Sequence, residues 1–171
     1  MMENAIIIDN FLDNVDEIRE EALLLDYTKS LPESQSWKGF RCLSGNIVTL
    51  DLHEKIKEKL VETNIKFDNC DMRCFFHYTL EEHNVGKKNI HRDYGFDYAG
   101  VLYLTPKPQE NSGTSFYNDS GEETGYLENA YNRLVIYPAN ELHSLKESFG
   151  NDINNGRLTF TFFCKLKNNN I

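Results

Sequence analysis

The chain has 171 residues, of which 40% are hydrophobic, 26% charged and 12% aromatic, with a formal net charge of −9. That length predicts a single domain able to bury about 70% of its unfolded surface, and the composition is that of an ordinary globular protein. Twenty-seven acidic against 18 basic residues argue against a broad nucleic-acid footprint, which needs a basic face. No apolar run approaches the length of a bilayer-spanning helix, so no membrane association is expected. The opening Met1-Met2-Glu3-Asn4 lacks the basic and long apolar regions of an export signal. Cys42, Cys70, Cys74 and Cys164 do not make a convincing disulfide framework. A reducing, cytoplasmic setting is expected.

In chain order, residues 5–12 read as an edge strand or entry segment. Asp13 then caps a helix running to about residue 27, with Val15, Ile18, Ala22 and Leu25 on its apolar face. Thr28 to Pro32 is a breaker-rich loop. Trp37 to Arg41, aromatic and basic with an internal glycine, reads either as a loop folded over the core or as a substrate lip. Ile47 to Leu50 reads as a brief strand, and Asp51 to Glu62 as a helix striped by Leu52, Ile56 and Leu60.

From Lys66 onward the apolar period changes toward two and strands dominate. Met72, Cys74, Phe76 and Tyr78 share one face of the first long strand; Arg73, Phe75 and His77 share the other. Cys70 and Cys74 with His77 and His83 invite a zinc reading, but Cys-x3-Cys is not a knuckle spacing and free cysteine in apolar strands packs as a small hydrophobe. Further strands are expected at 98–105, 114–117, 134–137 and 157–166, with polar loops at 81–90, 109–113, 118–128 and 148–156. Two helices followed by about eight short strands predict an α+β fold. The helical support is residues 1–65 and the core, residues 66–167, is a double-sheet jelly roll, or double-stranded β-helix. The helices pack on the outside of the major sheet.

His91-Arg92-Asp93 carries the chemistry. Side chains two apart in an extended segment point the same way, so His91 and Asp93 can reach one ion while Arg92 turns aside. His143 follows 52 residues later, after the strand-like Leu134-Val135-Ile136-Tyr137. Two histidines and one carboxylate on one side of a metal leave open positions opposite, the facial arrangement of non-haem Fe(II) oxygenases. Arg157 stands 14 residues beyond His143 and shares a strand face with Thr159. Its guanidinium suits a two-pronged grip on a carboxylate; the alternative is a structural salt bridge. A polar core without metal is the bland alternative for the whole group.

From about Met72 to Lys165 the chain resembles the Fe(II)/2-oxoglutarate-dependent dioxygenases, in particular compact prolyl-hydroxylase-like members of phage and marine bacterial type. The blocks are Cys74-Phe75-Phe76-His77-Tyr78, His91-Arg92-Asp93, Gly100 to Thr105, and Arg133 to Pro138 leading to His143 and Arg157. The opening Ile6 to Leu12 looks similar as well. The resemblance implies that His91, Asp93 and His143 hold Fe(II), and that Arg157 binds the distal carboxylate of 2-oxoglutarate with help from Thr159. O2 is the second cosubstrate and ascorbate the reductant. It also implies hydroxylation of a peptide side chain or small molecule, with release of succinate and CO2. Tyr78 matches a tyrosine that points toward the cosubstrate, or is plain aromatic core. A second pocket tyrosine of many relatives has no match here, because strand parity places Leu102 inward and Tyr103 outward. Phe116, Thr161 and Phe163 are candidates for the pocket wall.

Two other functions compete. A cupin-like metal-binding module without turnover has no use for a carboxylate clamp at Arg157. Nucleic-acid demethylation by the same chemistry needs a basic-aromatic stripe, and only Trp37 to Arg41 offers one. Substrate identity and oligomeric state are not legible in the sequence.

Overall fold

The computed structural model describes residues 5–30, 37–43, 47–63, 69–83 and 89–167. Residue spacing builds two amphipathic helices. Ile18 and Ala22 are the buried side of α1 (Val15–Leu23), and Leu52, Ile56 and Leu60 form the fully buried stripe of α2 (Ile47–Glu62). Asn14, not Asp13, is the N-cap of α1. This helix stops at Leu23, short of residue 27; Leu24 is exposed, and Tyr27 folds back so that its hydroxyl donates to the Ala22 carbonyl at 2.8 Å. Ile47 to Leu50, expected as a strand, forms the first turns of α2. Their β-branched side chains favour a strand only weakly, and the register of the following stripe prevails.

The strands are β1 (Ile6–Ile8), β2 (Thr28–Lys29), β3 (Phe40–Leu43), β4 (Asn69–Thr79), β5 (Tyr98–Tyr103), β6 (Thr114–Tyr117), β7 (Glu123–Leu127), β8 (Leu134–Pro138), β9 (Leu142–Leu145) and β10 (Arg157–Lys167). Seven of them make one sheet in the order β1-β8-β5-β10-β4-β3-β2, and three make a smaller sheet, β7-β6-β9. All pairings are antiparallel. Besides the two-residue β2 inside the expected loop Thr28–Pro32, two expected loops contain longer strands: β3 takes up Phe40 and Arg41 from the Trp37–Arg41 segment, and β7 lies inside 118–128. Neither carries a strong period-two pattern, so only pairing with a neighbour reveals them.

Strand β10 organises the larger sheet. It pairs with β4 from Arg157↔Thr79 to Lys167↔Asn69, and with β5 from Thr159↔Tyr103 to Cys164↔Tyr98. Register decides the faces. Leu158, Phe160, Phe162, Leu102 and Phe76 face the helices and pack with Ile18, Ala22, Leu52, Ile56 and Leu60. Both helices thus cover the outer face of the larger sheet. Val101, Tyr103, Val135 and Tyr137 face inward and pack with Phe116 of the smaller sheet. Gly100 is obligatory in this arrangement, because a Cβ there would run into the Phe162 ring. Two antiparallel sheets around a shared interior, with helices outside the larger one, match a jelly-roll architecture. Among the described residues no helix is long and apolar enough to cross a membrane.

The parity expected for β5 is reversed. Leu102 belongs to the helix-side core and Tyr103 to the inter-sheet core. Tyr78 also corrects an expectation: it lies on the helix side, stacked on Phe40 at 4.5 Å and edge-on to Tyr27 at 5.0 Å.

Asn132 ties the N-terminal segment to this frame. It sits at φ 61°, and its side chain accepts from the Leu12 N–H at 2.9 Å and donates to the Leu12 carbonyl at 2.8 Å. Asn132→Ala leaves both buried main-chain groups unpaired and keeps the left-handed strain, so it should cost about 2–4 kcal/mol in urea unfolding. Asn132→Gly should recover only the backbone part; an unchanged unfolding midpoint for Asn132→Ala would contradict this role.

Candidate metal centre

The centre begins with main-chain pairing. His91 and His143 exchange both backbone hydrogen bonds, each N–H donating to the other's carbonyl at 3.0 Å. Their imidazoles stand 4.5 Å apart, centroid to centroid. Asp93 is fixed separately, its N–H donating to the Ala139 carbonyl at 2.8 Å. Pairing of His143 with Phe116 binds the same point to the smaller sheet.

The ring tautomers follow from their partners. His91 Nδ1 faces the Asn89 carbonyl at 2.8 Å, and His143 Nδ1 faces the Glu141 carbonyl at 2.9 Å. A carbonyl accepts only, so each Nδ1 carries the proton and each Nε2 turns a lone pair inward. Those Nε2 atoms lie 3.5 Å and 3.3 Å from the two Asp93 carboxylate oxygens. The buried Asp93 Oδ2 has no hydrogen-bond partner among the described residues. Three electron-pair donors within 4.8 Å of one another, with no donor hydrogen between them, call for a cation. An extra proton can substitute. Burial alone would raise the Asp93 carboxyl, but His143 and then His91, when protonated at Nε2, outweigh it and hold the group at about 2. Burial pulls His91 down, yet its bonds to Asp93 and Asn89 leave it raised overall. Among the described residues this is the one His/Cys/Asp/Glu group able to hold an ion. Cys70 and Cys74 are buried free thiols, and Cys74 belongs to the helix-side core while His77 faces the cavity.

The three ligands open onto a cavity of about 410 Å³ lined from both sheets. Arg157, at the start of β10, is buried in its wall. Its Nε donates to the Ser112 carbonyl at 2.7 Å, and its guanidinium lies over the Tyr103 ring at 5.3 Å. The Tyr103 hydroxyl in turn pairs with Thr114 Oγ1 at 2.9 Å. No carboxylate pairs with Arg157 among the described residues. Burial lowers its pKa, partly offset by Tyr103. A buried guanidinium without an anion is poorly compensated, which leaves it able to pair with a carboxylate.

Thr161 and Phe163 also line this cavity, whereas Thr159, on the same strand face, is fully buried with its hydroxyl donating to the His77 carbonyl at 3.1 Å. Phe116 packs between the sheets against Tyr137 and His143. Tyr78 is absent from the lining, in keeping with its position against the helices. Sequence reasoning missed Tyr103, which the pairing Thr159↔Tyr103 places on the inward face. It also gave no role to His77 and left Arg41 within an ambiguous segment; the pairing Arg41↔His77 brings both to the cavity.

Against this geometry, known proteins give a consistent picture. A family model described as a family of unknown function (DUF6445) matches residues 118–164, which include His143 and Arg157. No curated protein sequence matches the chain. Among solved structures, the fold is shared with a prolyl hydroxylase from Trichoplax adhaerens in complex with a hypoxia inducible factor peptide fragment. That match has a TM-score of 0.71 and 13% identity, over 96% of this chain and 84% of that one. An oxidoreductase of the 2OG-Fe(II) oxygenase family from Burkholderia pseudomallei gives a TM-score of 0.71 at 13% identity, over 98% and 89%. HygX from Streptomyces hygroscopicus, with nickel, 2-oxoglutarate and hygromycin B bound, gives 0.67 at 11% identity, over 95% and 83%. The chain has the oxygenase-like fold.

His77 provides a pH test of the cavity. Its Nε2–H donates to the Lys38 carbonyl at 2.6 Å, and burial, then the charges of Arg41 and Arg157, depress its pKa to about 3 from the ordinary 6.5. Between those values the unfolded chain binds a proton that the folded one refuses, so stability falls as pH drops through this window. The urea midpoint should therefore decline from pH 6.5 toward pH 4, with a shallower decline in His77→Gln. Equal slopes in the two proteins would show that His77 is not held neutral.

Proposed function

We propose that this chain is a non-haem Fe(II)- and 2-oxoglutarate-dependent dioxygenase that hydroxylates a peptide side chain or small molecule. The observation that carries the reading is a buried guanidinium without a carboxylate partner among the described residues, lining the same cavity as a convergent His-Asp-His group. His91, Asp93 and His143 hold the iron, their tautomers already set by Asn89 and Glu141. Arg157, steadied by the Ser112 carbonyl and the Tyr103 ring, grips the distal carboxylate of 2-oxoglutarate. Thr161 borders the same wall, and neutral His77 adds no charge to repel either guanidinium. Bound iron and 2-oxoglutarate supply O2 activation, in which oxidative decarboxylation to succinate and CO2 accompanies hydroxylation of a C–H bond, with ascorbate keeping the metal reduced.

In this reading the two sheets form a double-stranded β-helix in one catalytic domain, and the helices brace its larger sheet. HygX carries nickel and 2-oxoglutarate, and the Trichoplax enzyme carries a peptide; this cavity is offered the same kinds of ligand. Four free cysteines suit a reducing compartment such as the cytoplasm. A metal-binding module without turnover leaves the state of Arg157 without a purpose.

Purified protein supplied with Fe(II), ascorbate, O2 and 2-oxoglutarate should release succinate slowly even without substrate, and His143→Ala should abolish that release. Arg157→Lys keeps the charge but loses the planar fork, and should raise the KM for 2-oxoglutarate about tenfold or more. Succinate formation undiminished in His143→Ala would refute the metal assignment, and an unchanged KM in Arg157→Lys would make that arginine structural.

A further inference from the structure

The cavity carries a charge that its chemistry so far leaves unused. Lys38, Arg41, Arg73, Arg92 and Arg157 all line it, against one carboxylate among the described residues, Asp93. This is a concentrated positive field in a chain of net charge −9. Two of the five have partners of their own. Arg157 is bonded to Ser112 and assigned to 2-oxoglutarate, and Arg92 is paired with Asp119 and the Asn140 carbonyl.

Arg41 differs from both. Its guanidinium carbon lies 4.1 Å from the Trp37 ring centroid and 4.2 Å from that of Phe75, so aromatic rings hold it in a clamp. No ion pair of Arg41 is present among the described residues, and its Nε is buried without a hydrogen-bond partner there. Ring stacking neutralises none of its charge and uses none of its N–H donors. It holds the fork still, which lowers the entropy lost when a planar anion binds. Backbone geometry aims the clamp: Gly39, at φ 98° and pressed on the Tyr78 carbonyl, turns the chain between Trp37 and Arg41. The pairing Arg41↔His77 then puts the guanidinium on the cavity side.

Its neighbours also distinguish it from the 2-oxoglutarate clamp. Arg41 lies on β3 opposite His77 of β4, whereas Arg157 opens β10 against the Ser112 carbonyl and the Tyr103 ring, so the two guanidiniums stand at different places in the wall. One 2-oxoglutarate has one distal carboxylate, and Arg157 takes it. The second guanidinium is left for a second ligand.

We propose that Arg41, clamped between Trp37 and Phe75, is a second anion-binding subsite that takes a carboxylate of the substrate. The subsite stands on its own geometry; only the role of its ligand as substrate rests on the oxygenase reading. Arg73 and Lys38, which also line the cavity, add attraction for an acidic molecule entering it. Substrates of this enzyme are therefore small carboxylic acids or acidic peptide termini rather than cations or neutral sugars.

Trp37 is the only tryptophan in the chain and touches Arg41, so its fluorescence reports this subsite. Benzoate titrated into the full-length protein should change that fluorescence saturably, and benzamide, its neutral counterpart, should not. Arg41→Gln should weaken benzoate about tenfold or more, while Arg157→Lys leaves it within about twofold. If Arg41→Gln does not fold, Arg41→Lys is read in the same way, because it keeps the charge and loses the fork. No response to benzoate, an equal response to benzamide, or equal loss in the Arg157 variant would each overturn the proposal. The titration needs neither iron nor turnover, so its failure is distinct from failure of succinate release.

Discussion

Two hydrogen bonds, exchanged at 3.0 Å between the main chains of His91 and His143, are the constraint on which the candidate site depends. They join the segment before β5 to β9 of the smaller sheet, and β9 pairs with β6 on its other side, where His143 stands opposite Phe116. Asp93 is held by Ala139, just beyond β8 of the larger sheet. The ligand atoms therefore converge because two sheets are locked together at that point, not because a loop happens to fold over. A ligand set built on paired backbone is held more tightly than side-chain packing alone achieves, which metal geometry requires.

Electrostatics complete the arrangement. A buried arginine and a half-buried one line a cavity with a single carboxylate among the described residues. The protein limits mutual repulsion by keeping His77, which feels both, neutral. Tyr103 offers the face of its ring to Arg157, and Trp37 and Phe75 offer theirs to Arg41. Aromatic faces steady a cation without neutralising it. Both guanidiniums thus line the cavity without a carboxylate partner among the described residues.

Much of this was legible in the sequence, and the failures have a common physical origin. His-x-Asp, the distant histidine and the arginine strand could be picked out as candidates because residue type and order alone mark them, and they do line one cavity. The two faces of β4 were also readable from alternation alone. Which face met the helices was not. Tyr78 shares parity with Met72, Cys74 and Phe76, and packs with them toward the helices. Leu102 and Tyr103 exchanged places for a similar reason: the inward face of β5 is set by its register with β10, a long-range property that alternation cannot supply. Arg41 was hidden in the same way, since β3 is four residues long and recognisable only by its pairing with β4.

Anaerobic titration of the iron-loaded protein with 2-oxoglutarate, followed by visible absorption, tests the central claim most directly. Chelation of Fe(II) by a 2-oxo acid produces a metal-to-ligand charge-transfer band, visible before any O2 or substrate is present. The account predicts a saturable band in the wild type, its loss in Asp93→Ala, and saturation only at higher 2-oxoglutarate in Arg157→Lys. A wild-type protein that binds iron yet develops no band, or an Asp93→Ala variant that develops the same band, would contradict it.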